Sequence, residues 1–128
     1  MKIYIATSWY NRDEFRRAVS MLPPGWEITC DWTDEDEDSD PAWISERDLR
    51  GVREADLLML ILPGRLGAHT EMGYALGLGK HVLLVGERWP DGKSFPDSPF
   101  YFDPRVHVES SLAGAMMWLQ QYRSRFER

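Results

Sequence analysis

Glu71 and Asp48 are the two acids whose surroundings single them out for chemistry. Glu71 follows the apolar run Leu57-Leu58-Met59-Leu60-Ile61-Leu62 and the Gly-containing stretch Pro63-Gly64-Arg65-Leu66-Gly67-Ala68, and the pattern places it in the first turn of a helix starting near His69. A strand, loop and helix start in that order put Glu71 at the C-terminal edge of a parallel sheet, where open α/β folds bind their ligands. Glu71 is therefore the candidate nucleophile, although a first-turn acid is also an ordinary capping residue. Asp48 shares a helix face with Ile44, Val52 and Ala55, so it sits inside an apolar stripe. A carboxylate there must be paired, hydrogen-bonded or facing a cavity.

Tyr4, Trp9 and Tyr10 fall at the end of the first apolar run and in the turn after it, again at the sheet's C-terminal edge. Aromatic faces there suit stacking on a flat ring, and ordinary packing would use them equally well. Arg12, Arg16 and Arg17 could meet a phosphate or simply form a solvated helix face.

Other chemistries lack their residues. Asp34, Asp36 and Asp38 begin like a calcium loop, but Ser39 and Ser45 stand where Gly and Glu are needed. His69-Thr70-Glu71 has the His-x-Glu of zinc deaminases without a Cys-x-x-Cys partner, since Cys30 is the only cysteine. His69, His81 and His107 lack metal-ligand spacing, so none is expected to hold a metal. No GxSxG, GxGxxG or Walker sequence occurs. The net charge of −6 is concentrated: Asp31 to Asp40 holds seven acids and no base, leaving 15 basic and 14 acidic residues elsewhere. Polymeric nucleic acid would meet this acidic loop and no basic stripe. The loop itself reads as solvated.

The elements that must position these residues follow from the pattern. Residues 1–128 are read as one domain, cytoplasmic by default, with no apolar run long enough to span a membrane. Strands are expected at Lys2 to Ala6, Trp26 to Trp32, Asp56 to Leu62 and His81 to Gly86. Helices are expected at Asp13 to Leu22, at Ala42 to Ala55 behind an Asp40 cap and Pro41, and at His69 to Leu78. Glu87 to Pro99 is loop chemistry; either Phe100-Tyr101-Phe102 or Val106-His107-Val108 supplies a fifth strand, and Ser110 or Ser111 caps a last helix. Strands alternating with helices imply a flavodoxin-like or Rossmann-like three-layer α/β domain with a parallel sheet of four to five strands.

Over Met1 to about Gly86 the chain resembles the nucleoside 2-deoxyribosyltransferase family and the related 2′-deoxynucleoside 5′-phosphate N-hydrolases. Three segments carry the resemblance: Ile3-Tyr4-Ile5-Ala6-Thr7-Ser8-Trp9; Arg47-Asp48-Leu49-Arg50-Gly51-Val52-Arg53-Glu54-Ala55-Asp56; and Gly67-Ala68-His69-Thr70-Glu71-Met72-Gly73-Tyr74-Ala75. It implies a Glu71 nucleophile, Asp48 as the acid handling protons and sugar hydroxyls, Tyr4 orienting Glu71, and Thr7, Ser8, Trp9 and Gly67 contacting substrate. It also implies a small nucleoside or nucleotide as substrate, no cofactor, and a homo-oligomer with shared sites. Two departures stand out. Some of these transferases carry an acid in the loop before the catalytic helix, where this chain has Arg65, and the hydrolases carry a Gly-rich phosphate loop where this chain has Ser8-Trp9-Tyr10-Asn11-Arg12. A nucleotide-sensing or partner-binding module, and a glycosidase acting on a ribosyl cofactor such as NAD, are the other readings open at this point.

Overall fold

The computed structural model describes residues 1–36, 38–86 and 98–126. Five strands form one parallel sheet: β1 (Lys2–Ala6), β2 (Glu27–Ile28), β3 (Leu57–Ile61), β4 (His81–Val85) and β5 (Val106–Glu109), in the order β2-β1-β3-β4-β5. Four helices surround it: α1 (Arg12–Met21), α2 (Pro41–Glu54), α3 (Leu66–Gly77) and α4 (Leu112–Phe126). The chain leaves β1 toward one edge and returns through β3 on the other side, and ligands gather at such a switch point.

β3 is buried along its whole length, and β1 and β4 from their second residue on, which is why they read as unbroken apolar runs. α2 and α3 pack on each other, and α3 also lies on β1, β3 and β4. α4 packs on β4 and β5 and reaches the turn before β2, where the Trp26 indole donates to the Leu119 carbonyl at 3.2 Å. Asp40 caps α2 by accepting from the Ala42 amide, with Pro41 in the first turn as expected.

Several boundaries differ from the sequence expectation. β2 keeps only Glu27–Ile28 of the expected Trp26 to Trp32, because the chain then turns off the edge. Side chains hold it instead: Thr29 Oγ1 donates to the Gly51 carbonyl at 2.8 Å, and Trp32 Nε1 to that of Ile5 at 2.8 Å. Helix α3 starts at Leu66, not His69, so Glu71 is its sixth residue and the first-turn argument from orphan amides and dipole falls away. Arg65 at the N-cap makes no side-chain cap bond, so the usual start signal is missing. Trp9–Asn11 and Pro99–Phe102 form 3₁₀ turns, the latter removing Phe100-Tyr101-Phe102 as the fifth strand in favour of Val106–Glu109. Ser111, of the two serines, accepts from the Gly114 amide at 3.1 Å at the start of α4. Of the expected loop Glu87 to Pro99, residues 87–97 lie outside the described part.

Candidate active site

Tyr4, Asp48 and Glu71 come from β1, α2 and α3 and meet at the C-terminal ends of β1 and β3. Tyr4 is fully buried in mid-strand, and its hydroxyl donates to Glu71 Oε2 at 2.5 Å. Space for the phenol ring comes from Gly51 on α2: a Cβ there would lie 3.0 Å from two Tyr4 ring carbons and 3.0 Å from Cys30 Cβ. Gly51→Ala is accordingly expected to cost roughly 1–3 kcal/mol and lower the melting temperature by several degrees. Thermal unfolding checks this, and the ring displacement should lower any Glu71-dependent activity in parallel.

Burial pushes the Glu71 carboxyl up to about 8; the Tyr4 hydrogen bond opposes the rise, and the charges of Asp48 and Glu35 add to it. The Tyr4 hydroxyl is itself raised by burial and then by the Glu71 charge, so it stays a donor. Asp48 is raised by burial, against the pull of Arg47, whose Nε lies 3.3 Å from Asp48 Oδ1. The Cys30 thiol donates to the same oxygen at 3.7 Å.

Two further residues enter the site that sequence reasoning passed over. Glu35, from the loop expected to be solvated, has a side chain only 15% exposed and pairs with the Arg47 guanidinium, which is 16% exposed. Arg47 thus bridges Glu35 and Asp48 while its third nitrogen lies 3.4 Å from Asp34. The Trp9 indole fixes the loop by donating to the Glu35 carbonyl at 3.0 Å. The available signal was Trp32: an aromatic side chain, buried here, at the head of the acidic run anchors it to the core.

Tyr4, Glu35, Asp48 and Glu71 line one open pocket of about 300 Å³, together with Thr7, Ser8, Trp9, Tyr10, Trp32, Ile44, Arg65, Gly67 and Ala68. All seven residues singled out from sequence therefore border it, though not in equal ways. Thr7 spends its hydroxyl proton on the Ile61 carbonyl at 2.7 Å and accepts from Asn11 Nδ2 at 3.0 Å, tying the ends of β1 and β3 together. Ser8 accepts from the Tyr10 amide at the start of the 3₁₀ turn. Trp9 carries the Arg12 guanidinium over its ring at 3.8 Å, and Tyr10 carries that of Arg65 at 5.0 Å. Gly67 lies inside the first turn of α3 with open space where a Cβ would point, so nothing in the chain itself requires glycine there. Arg16 and Arg17 pair with Asp13 and Glu14 on the exposed face of α1, as a solvated helix would have them. Among the described residues no group of three or more His, Cys, Asp or Glu is arranged to hold a metal ion, and no helix is long and apolar enough to cross a membrane.

Fold and pocket together define a flavodoxin- or Rossmann-like α/β domain whose switch point is lined by carboxylates and aromatic rings. The same fold is found in the CMP N-glycosidase BcmB of Clostridium botulinum, which matches with a TM-score of 0.65 at 18% identity over 95% of this chain and 99% of that one. No family model and no curated protein sequence matches the chain.

Proposed function

We propose that the chain cleaves the N-glycosidic bond of 2′-deoxynucleosides or their 5′-monophosphates, with Glu71 as nucleophile. The observation that carries this reading is the convergence of Tyr4, Asp48 and Glu71, distant in sequence, on one pocket beside aromatic rings. The similarity of fold to a CMP N-glycosidase is consistent with it.

Cleavage of such a bond builds positive charge on the sugar, which the Glu71 carboxylate stabilises and then traps as an ester. Tyr4 holds one Glu71 oxygen and so aims the other at C1′. Asp48 handles protons and sugar hydroxyls, and Trp9 and Tyr10 offer faces to the base. The ester passes to water in hydrolysis or to a second base in transfer, with net retention of configuration in both. A homo-oligomer accords with the exposure of Leu66, Phe100 and Phe102, while the Gly73 and Gly77 face of α3 lies open.

Incubation with a deoxynucleoside and a different free base, and separately in buffer alone, tests the proposal by chromatography of the products. Free base, a new nucleoside, or both are expected from the wild type and neither from Glu71→Ala. An inert wild type that still binds the nucleoside would replace the enzyme with a sensing module.

A further inference from the structure

Resting on the glycosidase reading, we infer that Glu35 is a further catalytic residue: it is the acid that protonates the departing base. A nucleobase leaves poorly as an anion, so a protonated group is needed beside it. Arg65 borders the pocket from the loop before α3, and an arginine supplies no proton there. Tyr4 is committed to Glu71 deep in the sheet. Glu35 is the acid on the aromatic side: its backbone is bonded to the Trp9 indole, and it borders the pocket beside Trp9, Tyr10 and Trp32.

The surroundings of Glu35 also fit the role. From α2 it faces Arg47 and Asp48, from its own loop Asp34 on the far side of Arg47, and across the pocket Glu71 on α3. The Asp48 carboxylate near Glu35 disfavours a second negative charge there, which favours the protonated form of Glu35. Burial, followed by the Asp48 charge, pushes Glu35 up to about 7, so it retains a proton near neutrality. Arg47 then receives the negative charge left on Glu35 once the proton has gone.

The step balances. The C1′–N bond breaks with its electron pair passing to the base, Glu71 forms the C1′–O bond, and the Glu35 proton moves to the base, which departs neutral. Water next attacks C1′, its proton returns to Glu35, and the Glu71 ester bond breaks to restore the carboxylate.

The test compares Glu35→Gln with wild type on two substrates: the deoxynucleoside turned over best, and 4-nitrophenyl 2-deoxyribofuranoside, whose phenolate leaves without a proton. The variant is expected to lose about 10²-fold or more in kcat on the nucleoside and little on the aryl glycoside. With Glu71 at about 8, wild-type activity should peak between about 7 and 8 and fall above that range, and that falling limb should be missing in the variant. Equal losses on both substrates, or no loss on either, would overturn the assignment. Failure of the underlying reading looks different: wild type and Glu71→Ala would then be alike on both substrates. Circular dichroism and thermal unfolding of Glu35→Gln confirm that a folded protein is being compared.

Discussion

Glu71→Gln is expected to abolish glycosidic cleavage and, at the same time, to make the protein more heat-stable above pH 8. The amide cannot form the glycosyl ester, so turnover should fall by at least about 10³-fold. The stability gain follows from linkage. Glu71 titrates at about 8 in the folded chain against 4.5 in the unfolded one, so the folded state holds this proton more tightly. A group of that kind contributes stability below its unfolded value and loses it progressively as pH climbs through the folded value. Wild type therefore carries a buried charge at pH 8.5 that the glutamine variant lacks. Each pH unit across the interval is worth roughly 1.4 kcal/mol, which for a chain of this size is a rise in melting temperature of roughly 5 °C per unit that accumulates from the acid end up to about pH 8. Melting curves from pH 5 to 8.5 should show the two proteins converging at the acid end. A variant less stable than wild type at pH 8.5 would mean that Glu71 is held by favourable partners, and the site would then need a different account.

That trade explains which parts of the fold were legible in the residues. β3 along its whole length, and β1 and β4 from their second residues on, read cleanly because they are buried and so hold no charged residue to break the run. Trp26, Ile28, Cys30 and Trp32 alternate as a longer β2 would, while Trp26 and Trp32 are in fact anchored by indole bonds to α4 and β1. Periodicity reports burial, and a loop anchored by tryptophans buries side chains as a strand does. The sequence marks the start of α3 three residues late because Gly67 reads as a loop residue and Arg65 offers no cap.

The site was legible in its deep half and opaque in its outer half for a related reason. Tyr4, Asp48 and Glu71 lie on regular elements inside the three segments that carry the family resemblance, and helix spacing separately marks Asp48 as an acid in an apolar stripe. Glu35 lies among seven acids within ten residues, and nothing in its immediate spacing separates it from Asp34 or Asp36. What separates it is three-dimensional: the Trp9 indole on its carbonyl and the Arg47 guanidinium on its carboxylate. A run of like charges reads as a solvated face until one member finds a cation, and that cation sits in α2 next to Asp48.

Asp48→Asn should lower turnover and move the whole pH profile toward acid. In the wild type, attack requires Glu71 ionised, at about 8, and departure requires Glu35 protonated, at about 7; because the acid lies below the base, activity rises toward about 7, falls above about 8 and peaks between them on a small fraction of correctly protonated protein. The Asp48 charge lifts both neighbours. The isosteric amide removes that charge, so Glu71 ionises at lower pH and Glu35 gives up its proton at lower pH as well. Burial is the larger cause in each case and remains, so neither carboxyl returns to the ordinary range. Asparagine also gives the sugar hydroxyls a neutral partner in place of a charged one, and kcat should drop by about 10²-fold. Rate measurements from pH 5 to 9.5 would show a lower bell displaced to acid. A profile unmoved in position would mean that Asp48 lies too far from the other two acids to be felt, and the pocket would hold a single working carboxylate.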